Sequence, residues 1–383
     1  MKIAQVVLKN VPADLEKLSD LSKINPQLVL VFGYTEHFAD PVFEASLAAH
    51  FPHAQRVGCS TAGEISSVGV TNHSTVVTAI HFDSVSFRVA TAELSGMEKS
   101  FEAGATLAKK LICPKLKAVL VLGQGVSING SGMIDGMVSE LGTVKPVTGG
   151  LAGDDGAFLK TYTLSNAGVS TSCVVAVGFE GEKLLFSHGS FGGWKPFGPT
   201  RKVTSCVGNI LYALDGAPAL DVYKKYLGEY AKDLPGSGLL FPFEMLSNAQ
   251  ESLGQIRTIL GINEDDGSLI LAGVINPDGY LRLMHAHTND LVDGAEVAAN
   301  ATIDGMPDCA GQALGLLVSC VGRKLVMGGR VDEEVEAVQE VLGDNTVLCG
   351  FYSNGEICPG YRLDACSLHN QTMTITYLAE KSE

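Results

Sequence analysis

An eight-residue motif that occurs twice carries the polar groups with the clearest chemical potential. Residues 58–65 read GCSTAGEI and residues 350–357 read GFYSNGEI, so both follow the pattern G-x-x-[ST]-x-G-E-I. The two glycines let the backbone bend sharply against a ligand or a neighbouring strand, and Glu64 or Glu356 follows the bend directly. Two interpretations are open. The glutamates and hydroxyls line a polar ligand-binding cleft, or each glutamate caps exposed backbone N–H groups of a bulged strand.

A third Gly-rich bend, GGLAGDD at residues 149–155, places Asp154 and Asp155 where the other two bends carry glutamate. Paired carboxylates can hold a cation or the ammonium group of a ligand, and they equally start turns. If the three bends line one cleft, the predicted ligand contacts are Cys59, Ser60, Thr61, Glu64, Asp154, Asp155, Arg323, Tyr352, Ser353 and Glu356. An amino acid suits this set, because the carboxylates would meet its ammonium group and Arg323 or free backbone N–H groups would meet its carboxylate.

Enzymatic motifs are missing from the sequence. It contains no G-x-S-x-G, no H-E-x-x-H and neither nucleotide-binding fingerprint. A hydrolase that uses Cys59 or Ser60 with Glu64 remains an alternative, but a binding protein without catalytic activity is favoured. No metal site is predicted.

Histidines and cysteines give two further expectations. His285 and His287 lie two residues apart on a predicted strand and would share a face, and His188 precedes the loop GSFGGWKPFG. The three could ligate a metal or haem, whereas a half-exposed strand face is the commoner explanation of such a pair. The nine cysteines form no C-x-x-C pair, which argues against a disulfide framework and a zinc ribbon. We therefore expect nine free thiols and no bound cofactor, with haem as the alternative.

Three strand–helix–strand patterns must position the bends. The first covers residues 28–33, 40–51 and 54–65, the second 117–123, 131–142 and 145–155, and the third 313–320, 330–343 and 346–357. Each pattern has a buried-looking apolar strand, a helix with apolar residues three to four apart, and a second strand that runs into a Gly-rich bend. Such βαβ units predict parallel strand pairs with right-handed crossovers.

Other stretches predict antiparallel pairs. Residues 257–262, 268–273 and 279–288 read as a three-stranded meander, residues 171–190 as a hairpin, and residues 74–94 as two alternating strands. An amphipathic helix at 216–231 lies between the halves, and we place a domain boundary near residue 222. The predicted fold class is α/β, with two domains of mixed sheets.

Composition excludes several functional classes. The 383 residues are 46% hydrophobic and 18% charged, against about 25% charged in a typical domain, so a sizeable core is expected. The net charge of −15 argues against nucleic-acid binding and against binding to an anionic membrane. No apolar run reaches the length of a membrane span, and the first residues do not form a signal peptide. A cytoplasmic protein is predicted.

The combined motifs resemble those of the FIST family, the F-box and intracellular signal transduction sensory proteins. The matching segments run in family order: VGCSTAGEI (57–65), GGLAGDD (149–155), LYALDGAPALDVYKKYL (211–227), LGINEDDGSLILAG (260–273), SCVGRKLVMG (319–328), GFYSNGEICP (350–359) and LHNQT (368–372). The resemblance implies a FIST N-terminal domain over 28–222 and a FIST C-terminal domain over 223–365. It also implies that the protein senses amino acids or other small molecules.

The same resemblance bears on partners and cofactors. Many family members are fused to kinase, cyclase or chemoreceptor modules, and this chain shows none, so we expect signalling through a separate partner such as a kinase or cyclase. Some relatives are haem-containing nitric oxide sensors, which makes haem bound by His188, His285 or His287 the alternative function. The family has no established catalytic residues.

Overall fold

Most of the chain forms three copies of one supersecondary unit. The structure is a computed structural model that describes residues 1–307, 309, 311–360 and 366–381. The first repeat contains β1 (Lys2–Leu8), α1 (Leu18–Ser22), β2 (Leu28–Gly33), α2 (Thr35–Ala39), α3 (Pro41–His50), β3 (Gln55–Ser60), β4 (Glu64–Ser66), β5 (Gly69–Thr71) and β6 (Thr75–His81). The second repeat contains β7 (Ser86–Glu93), α4 (Ser100–Leu111), β8 (Leu116–Gly123), α5 (Gly130–Leu141), β9 (Val147–Leu151), β10 (Thr163–Ser165), β11 (Gly168–Ser170) and β12 (Cys173–Glu180).

The third repeat is interrupted by an inserted sheet. It begins with β13 (Leu184–Phe191). The inserted segment contains β14 (Lys195–Pro196), β15 (Arg201–Val207), β16 (Ile210–Leu214), β17 (Ala217–Pro218), α6 (Ala219–Leu227), β18 (Phe243–Leu246), β19 (Ser252–Arg257), β20 (Ile259–Asn263), β21 (Ser268–Leu271) and β22 (Tyr280–His285). The repeat then continues with α7 (Thr288–Ile303), β23 (Ala313–Cys320), α8 (Val321–Met327), α9 (Asp332–Leu342), β24 (Thr346–Ser353), β25 (Gly355–Pro359), β26 (Cys366–His369) and β27 (Met373–Glu380).

The three repeats exchange strands in a cycle. Their sheets have the orders β1-β6-β2-β3-β10-β11, β7-β12-β8-β9-β25-β26 and β13-β27-β23-β24-β4-β5. Each sheet has one parallel pair, formed by β2 with β3, β8 with β9, or β23 with β24. The last two strands of each sheet form a hairpin that belongs to another repeat. Every Gly-rich bend is therefore the point at which the chain leaves one sheet and enters another.

Burial of both sheet faces explains the sequence of these strands. β2 and β23 are buried along their whole length, which is typical of parallel strands and their unbroken apolar runs. Inner-face residues such as Leu30, Leu122 and Val318 meet in one central core, and Phe32 stacks on Phe351 with ring centroids 4.8 Å apart. The outer faces pack against helices of the repeats. The middle of the three-sheet body is thus filled with apolar side chains.

Local signals set the helix ends that the βαβ units need. The Asp40 carboxylate accepts a hydrogen bond from the Val42 N–H at 2.8 Å, and Asn129 caps α5 in the same way. Gly142 and Gly343 end α5 and α9 with φ of 73° and 79°, a conformation that favours glycine. The predicted three βαβ units and the predicted α/β class with mixed sheets are confirmed.

The pairing of the antiparallel strands differs from the prediction in three places. The strands at 171–190, β12 and β13, do not form a hairpin, because β12 lies between β7 and β8 while β13 pairs with β27 in another sheet. The strands at 74–94, β6 and β7, also lie in different sheets. In the predicted meander β20 pairs with β21, but β22 pairs with β15 and β18. Alternating polarity indicates which face of a strand is buried, and it does not specify the neighbour.

The two halves of the chain share sheets. The boundary predicted near residue 222 falls inside α6, and strands before and after it pair with each other, as β4 does with β24 and β13 with β27. The predicted end at residue 365 lies outside the described residues. The physical division of the chain is between the three-sheet body and the inserted sheet, whose core packs around Tyr223 and Phe243. Among the described residues, no helix has the length and apolar character to cross a bilayer.

Candidate functional site

The three Gly-rich bends meet at one end of the three-sheet body. Their backbones are joined by N–H to carbonyl hydrogen bonds of 2.8–3.2 Å. The donor and acceptor residues are Ala62 and Tyr352, Tyr352 and Gly63, Gly153 and Ser60, and Asn354 and Leu151. The space between them is filled. A Cβ atom on Gly153 would lie 2.6 Å from the Ala62 nitrogen, and one on Gly125 would lie 1.7 Å from the Ala152 oxygen. The bends form an interlocked, closed end instead of an open cleft.

Both motif glutamates make the same hydrogen bonds inside this end. Glu64 accepts from the Thr61 hydroxyl at 2.6 Å and from the backbone N–H and hydroxyl of Ser74 at 3.1 and 2.7 Å. Glu356 accepts from the Ser353 hydroxyl at 2.8 Å and from the N–H and hydroxyl of Thr372 at 3.1 and 2.9 Å. Each carboxylate thereby ties its bend to the start of β6 or β27, which is the geometry of the capping interpretation.

Burial perturbs both carboxyls, and neither forms an ion pair with a described residue. Glu64 is 1% exposed and Glu356 is fully buried. Burial raises the pKa of Glu64, and it raises the pKa of Glu356 to about 7 even though the hydrogen bonds from Thr372 and Ser353 lower it. In the second repeat a threonine, Thr163, occupies the position equivalent to the glutamate. Thr163 of β10 pairs with Cys59 of β3 in the same way that Glu64 of β4 pairs with Phe351 of β24.

Asp154 and Asp155, the other predicted carboxylates, have different roles. Asp154 accepts hydrogen bonds from the backbone N–H groups of Phe158, Leu159 and Lys160 at 2.6–2.9 Å, so it holds a turn. Asp155 is exposed and lies 3.1 Å from His73 and 3.7 Å from the Lys324 ammonium.

Arg323 is buried in an ion pair that the sequence analysis did not foresee. Its guanidinium contacts the Glu334 carboxylate at 2.7 and 3.2 Å and donates to the carbonyls of Gly192 and Leu291. The Tyr352 hydroxyl donates to the other Glu334 oxygen at 2.6 Å. Arg323 and Glu334 are both 0% exposed. Arg323, which the sequence predicts as a ligand contact, is therefore neutralised within the protein by Glu334.

Cys59 and Ser60 are buried as well. The Ser60 hydroxyl donates to the Gly153 carbonyl at 2.7 Å and accepts from the Tyr162 N–H at 2.9 Å, so both its roles are occupied by backbone groups. Burial raises the pKa of the Cys59 thiol, which disfavours the thiolate. Glu64, the base of the hydrolase alternative, is bonded to Thr61 and Ser74.

The three candidate haem ligands lie on two parts of the molecule. His188 is in β13, its Nδ1 is 3.7 Å from the Cys358 sulfur, and burial lowers its pKa. His285 ends β22, and His287 precedes α7, with the two ring centroids 5.5 Å apart. Within the described part of the chain, no group of three or more His, Cys, Asp or Glu side chains is arranged to hold a metal ion. All nine cysteines are free.

A cavity of about 280 Å³ between the three-sheet body and the inserted sheet was missed by the sequence analysis. α5 and β26 form one wall and β18, β19 and the loop after β21 form the other. Its lining residues are Ser131, Ile134, Asp135, Met245, Gln255, Arg257, Val274, Ile275, Asn276, Ser367 and Leu368. The one signal for it in the sequence is an arginine at the head of the apolar strand RTILGI.

Arg257 is the unusual residue of this cavity, because it is buried without a carboxylate partner among the described residues. It donates to the carbonyls of Val274, Ile256 and Leu368 at 3.0–3.3 Å and to the Gln255 side-chain oxygen at 3.3 Å. It is 4% exposed, and burial lowers its pKa to about 10, so it stays charged at neutral pH.

Asp135, on the opposite wall, also has no ion-pair partner in the described part of the chain. It projects from α5, and partial burial raises its pKa. Among the described residues, the cavity therefore has an unpaired cation on the inserted sheet and an unpaired carboxylate on the three-sheet body, and hydroxyl and amide groups also line it.

Comparison with known proteins identifies the family of this chain. The family model for the FIST N domain matches residues 27–217, and that for the FIST C domain matches residues 219–359. An uncharacterized protein of Methanocaldococcus jannaschii is 38% identical over 87 residues, which is 23% of this chain and 17% of that protein. The chain thus matches about a sixth of the length of that curated relative.

Two solved structures of cyanuric acid hydrolases superpose on the chain. The enzyme from A. caulinodans gives a TM-score of 0.42 at 8% identity and covers 100% of this chain and 99% of that one. A second cyanuric acid hydrolase gives a TM-score of 0.37 at 11% identity and covers 99% of each chain. With TM-scores below 0.5, these similarities carry no argument about function.

Proposed function

The chain belongs to the FIST family, whose domains are associated with sensing in signal transduction, and we propose that it is a cytoplasmic sensor of a small carboxylate-bearing molecule such as an amino acid. The proposed site is the cavity beside Arg257. The observation that carries this proposal is the buried guanidinium without a carboxylate partner among the described residues.

An unpaired buried charge is costly, and a ligand carboxylate would remove that cost. A guanidinium has five N–H donors, and four hydrogen bonds of Arg257 are made within the protein. The remaining N–H is on Nη2, which also makes the replaceable contact with Gln255. A ligand carboxylate at Nη2 would gain a charge-assisted hydrogen bond with a buried guanidinium.

Asp135 would select for an ammonium group on the same ligand. Partial burial raises the pKa of Asp135, and a neighbouring ammonium would lower that pKa and stabilise the ionised form. Ser131, Ser367 and Asn276 offer further polar contacts. A volume of about 280 Å³ restricts the ligand to roughly the size of a single amino acid.

Occupancy of this cavity would be reported through the inserted sheet. A ligand there would contact α5 of the three-sheet body and β19 of the inserted sheet at once, so binding would favour the arrangement in which the two are apposed. A separate signalling protein, such as a kinase or cyclase, would then read the stabilised arrangement.

A thermal-shift screen of amino acids, followed by calorimetric titration, tests the proposal. A ligand at 100 times its Kd should stabilise the native state by about 2.7 kcal/mol. Arg257→Met should weaken binding at least tenfold, because it removes the guanidinium that would meet the ligand carboxylate. Arg56→Met, which replaces a buried arginine elsewhere, is the matched control and should leave the affinity unchanged.

Two outcomes would reject this site. One is the absence of any amino-acid or carboxylate ligand. The other is a ligand whose affinity is the same for the wild type, Arg257→Met and Asp135→Asn. If both charges act as proposed, Asp135→Asn weakens the binding of an amino acid but not the binding of the corresponding carboxylic acid that lacks the amino group. A Soret band in the purified protein would instead favour the haem alternative.

A further inference from the structure

A groove in the third repeat occupies the same position as the Arg257 cavity in the second. α5 and the bend after β9 align with α9 and the bend after β24 at a constant offset in the sequence. Gly142 corresponds to Gly343, and Gly149 corresponds to Gly350. Three helix residues that line the cavity correspond to three that line the groove. Ser131 corresponds to Asp332, Ile134 to Val335, and Asp135 to Glu336. The neighbouring edge strands correspond too, because Leu368 pairs with Ile357 as Val70 pairs with Ile65.

The two positions differ in what covers them. In the second repeat β19 of the inserted sheet lies over the groove, and Arg257 donates to the carbonyl of Leu368 in the edge strand β26 at 3.3 Å. In the third repeat the described residues leave an open groove of about 1000 Å³ between β5 and α9. Its floor is apolar, with Val335 and Leu348 buried, and Val68 on its rim is 81% exposed.

The edge strand β5 has a backbone face directed into this groove. The Val70 N–H donates to the Asp332 carboxylate at 2.7 Å, away from its partner strand β4. In an antiparallel strand the N–H and C=O of one residue point to the same side, so the Val70 carbonyl also faces the groove. It is the counterpart of the Leu368 carbonyl that accepts from Arg257.

The rim of the groove is acidic. Four exposed carboxylates line it, those of Asp332, Glu336, Glu340 and Asp344. None of them forms an ion pair among the described residues, and Lys9 is the basic side chain in the lining. A cationic group would therefore find uncompensated charge and an acceptor carbonyl side by side.

We propose that this groove docks an extended segment of a partner protein in which basic and apolar residues alternate. The covered groove of the second repeat supplies the template, because its occupant is an extended strand with an arginine. In an extended segment alternate side chains point to opposite sides, so lysine or arginine would meet the carboxylates and apolar residues would meet Val68 and Val335. A second copy of this chain is the poorer occupant, because each copy has a net charge of −15.

Fluorescence anisotropy with labelled hexapeptides tests this docking site. The probes are KVKVKV, the basic but polar KSKSKS, and the acidic EVEVEV. We expect saturable binding of KVKVKV that weakens with added salt, at least tenfold weaker binding of KSKSKS, and no binding of EVEVEV. Hydrogen exchange should slow in residues 68–71 when KVKVKV is bound.

Charge reversal locates the binding. The double variant Glu336→Lys with Glu340→Lys should weaken KVKVKV at least tenfold, and Val68→Ser should weaken it severalfold without affecting the fold. The matched control reverses two exposed carboxylates on the inserted segment, Glu229→Lys with Asp233→Lys, and should change the affinity by less than twofold.

Three results would overturn the proposal. They are no saturable binding of KVKVKV, an equal loss in the groove variant and the control, and unchanged exchange in β5 on binding. Sedimentation of the chain alone tests the rival occupant, a second copy of the chain. If the chain is a dimer and the double variant Glu336→Lys with Glu340→Lys is a monomer, the groove belongs to a second copy.

Discussion

Replacing Glu356 by glutamine should change how the stability of this protein depends on pH while the fold stays intact. The carboxyl is fully buried, accepts three hydrogen bonds from Ser353 and Thr372, and has no cation partner among the described residues. Glutamine has nearly the same shape. Its oxygen can accept from the Thr372 N–H, and its amide can donate to the Ser353 hydroxyl, so the side chain keeps hydrogen bonds to both neighbours.

The magnitude follows from the pKa of Glu356. Burial raises this pKa from 4.5 to about 7, so the folded protein holds a proton that the unfolded chain releases. A group of this kind contributes its full stability below pH 4.5 and loses it as the pH rises toward 7. At about 1.4 kcal/mol per pH unit, the loss amounts to about 3 kcal/mol. Glu356→Gln does not ionise and lacks this dependence.

Urea unfolding of the wild type and Glu356→Gln between pH 4.5 and pH 8 measures the effect. We expect the variant to lie within about 1 kcal/mol of the wild type at pH 4.5 and to gain about 3 kcal/mol on it by pH 8. Glu336→Gln, at an exposed position, is the control and should follow the wild type at every pH.

A buried ion pair of Glu356 would produce the opposite result. The pKa of Glu356 would then lie below 4.5, stability would rise with pH, and Glu356→Gln would cost about 3–5 kcal/mol at pH 8 because the cation would be left alone. A variant that is strongly destabilised at pH 8 would refute the present assignment of its partners.

Three more outcomes are expected. Glu334→Gln removes the carboxylate that balances buried Arg323 and should cost about 3–5 kcal/mol in urea unfolding, whereas Glu333→Gln, on an exposed pair, should cost less than about 1 kcal/mol. Gly153→Ala brings a methyl group against the neighbouring bend and should cost about 1–3 kcal/mol or more, while Gly329→Ala, with open space around it, should be neutral. Thiol titration in denaturant without reductant should find all nine cysteines free, and under native conditions the five buried ones should react slowest; a stoichiometric disulfide would contradict this.

The sequence predicted most of the strands and helices, but it did not predict which strands pair with each other. The βαβ units over 28–65, 117–155 and 313–357 appear where periodicity predicts them, since each strand and helix carries its own pattern of burial. The hairpin predicted at 171–190 is wrong because β12 and β13 turn a corner between sheets. A polar turn looks the same whether the chain folds back or crosses to another sheet.

The site shows the same limit. The repeated motif indicated that Glu64 and Glu356 are equivalent, and they make matching hydrogen bonds. Nothing in the spacing indicated that Glu334 neutralises Arg323, or that Arg257 has no carboxylate beside it among the described residues. The first fact depends on how α8 packs against α9, and the second depends on which segments surround Arg257, including Leu368, which is 111 residues away along the chain.

The sequence by itself determined the apolar strands, the capped helices, the glycine bends and the family, because each is encoded in local composition and order. The tertiary structure alone decided that the bends interlock, that hairpins pass between repeats, and that an inserted sheet covers one groove and leaves its counterpart open. The physical reason is that burial and charge compensation are properties of neighbours. Arg257 and Asp135 become a candidate site only when β19 is laid against α5, and a linear sequence does not contain that distance.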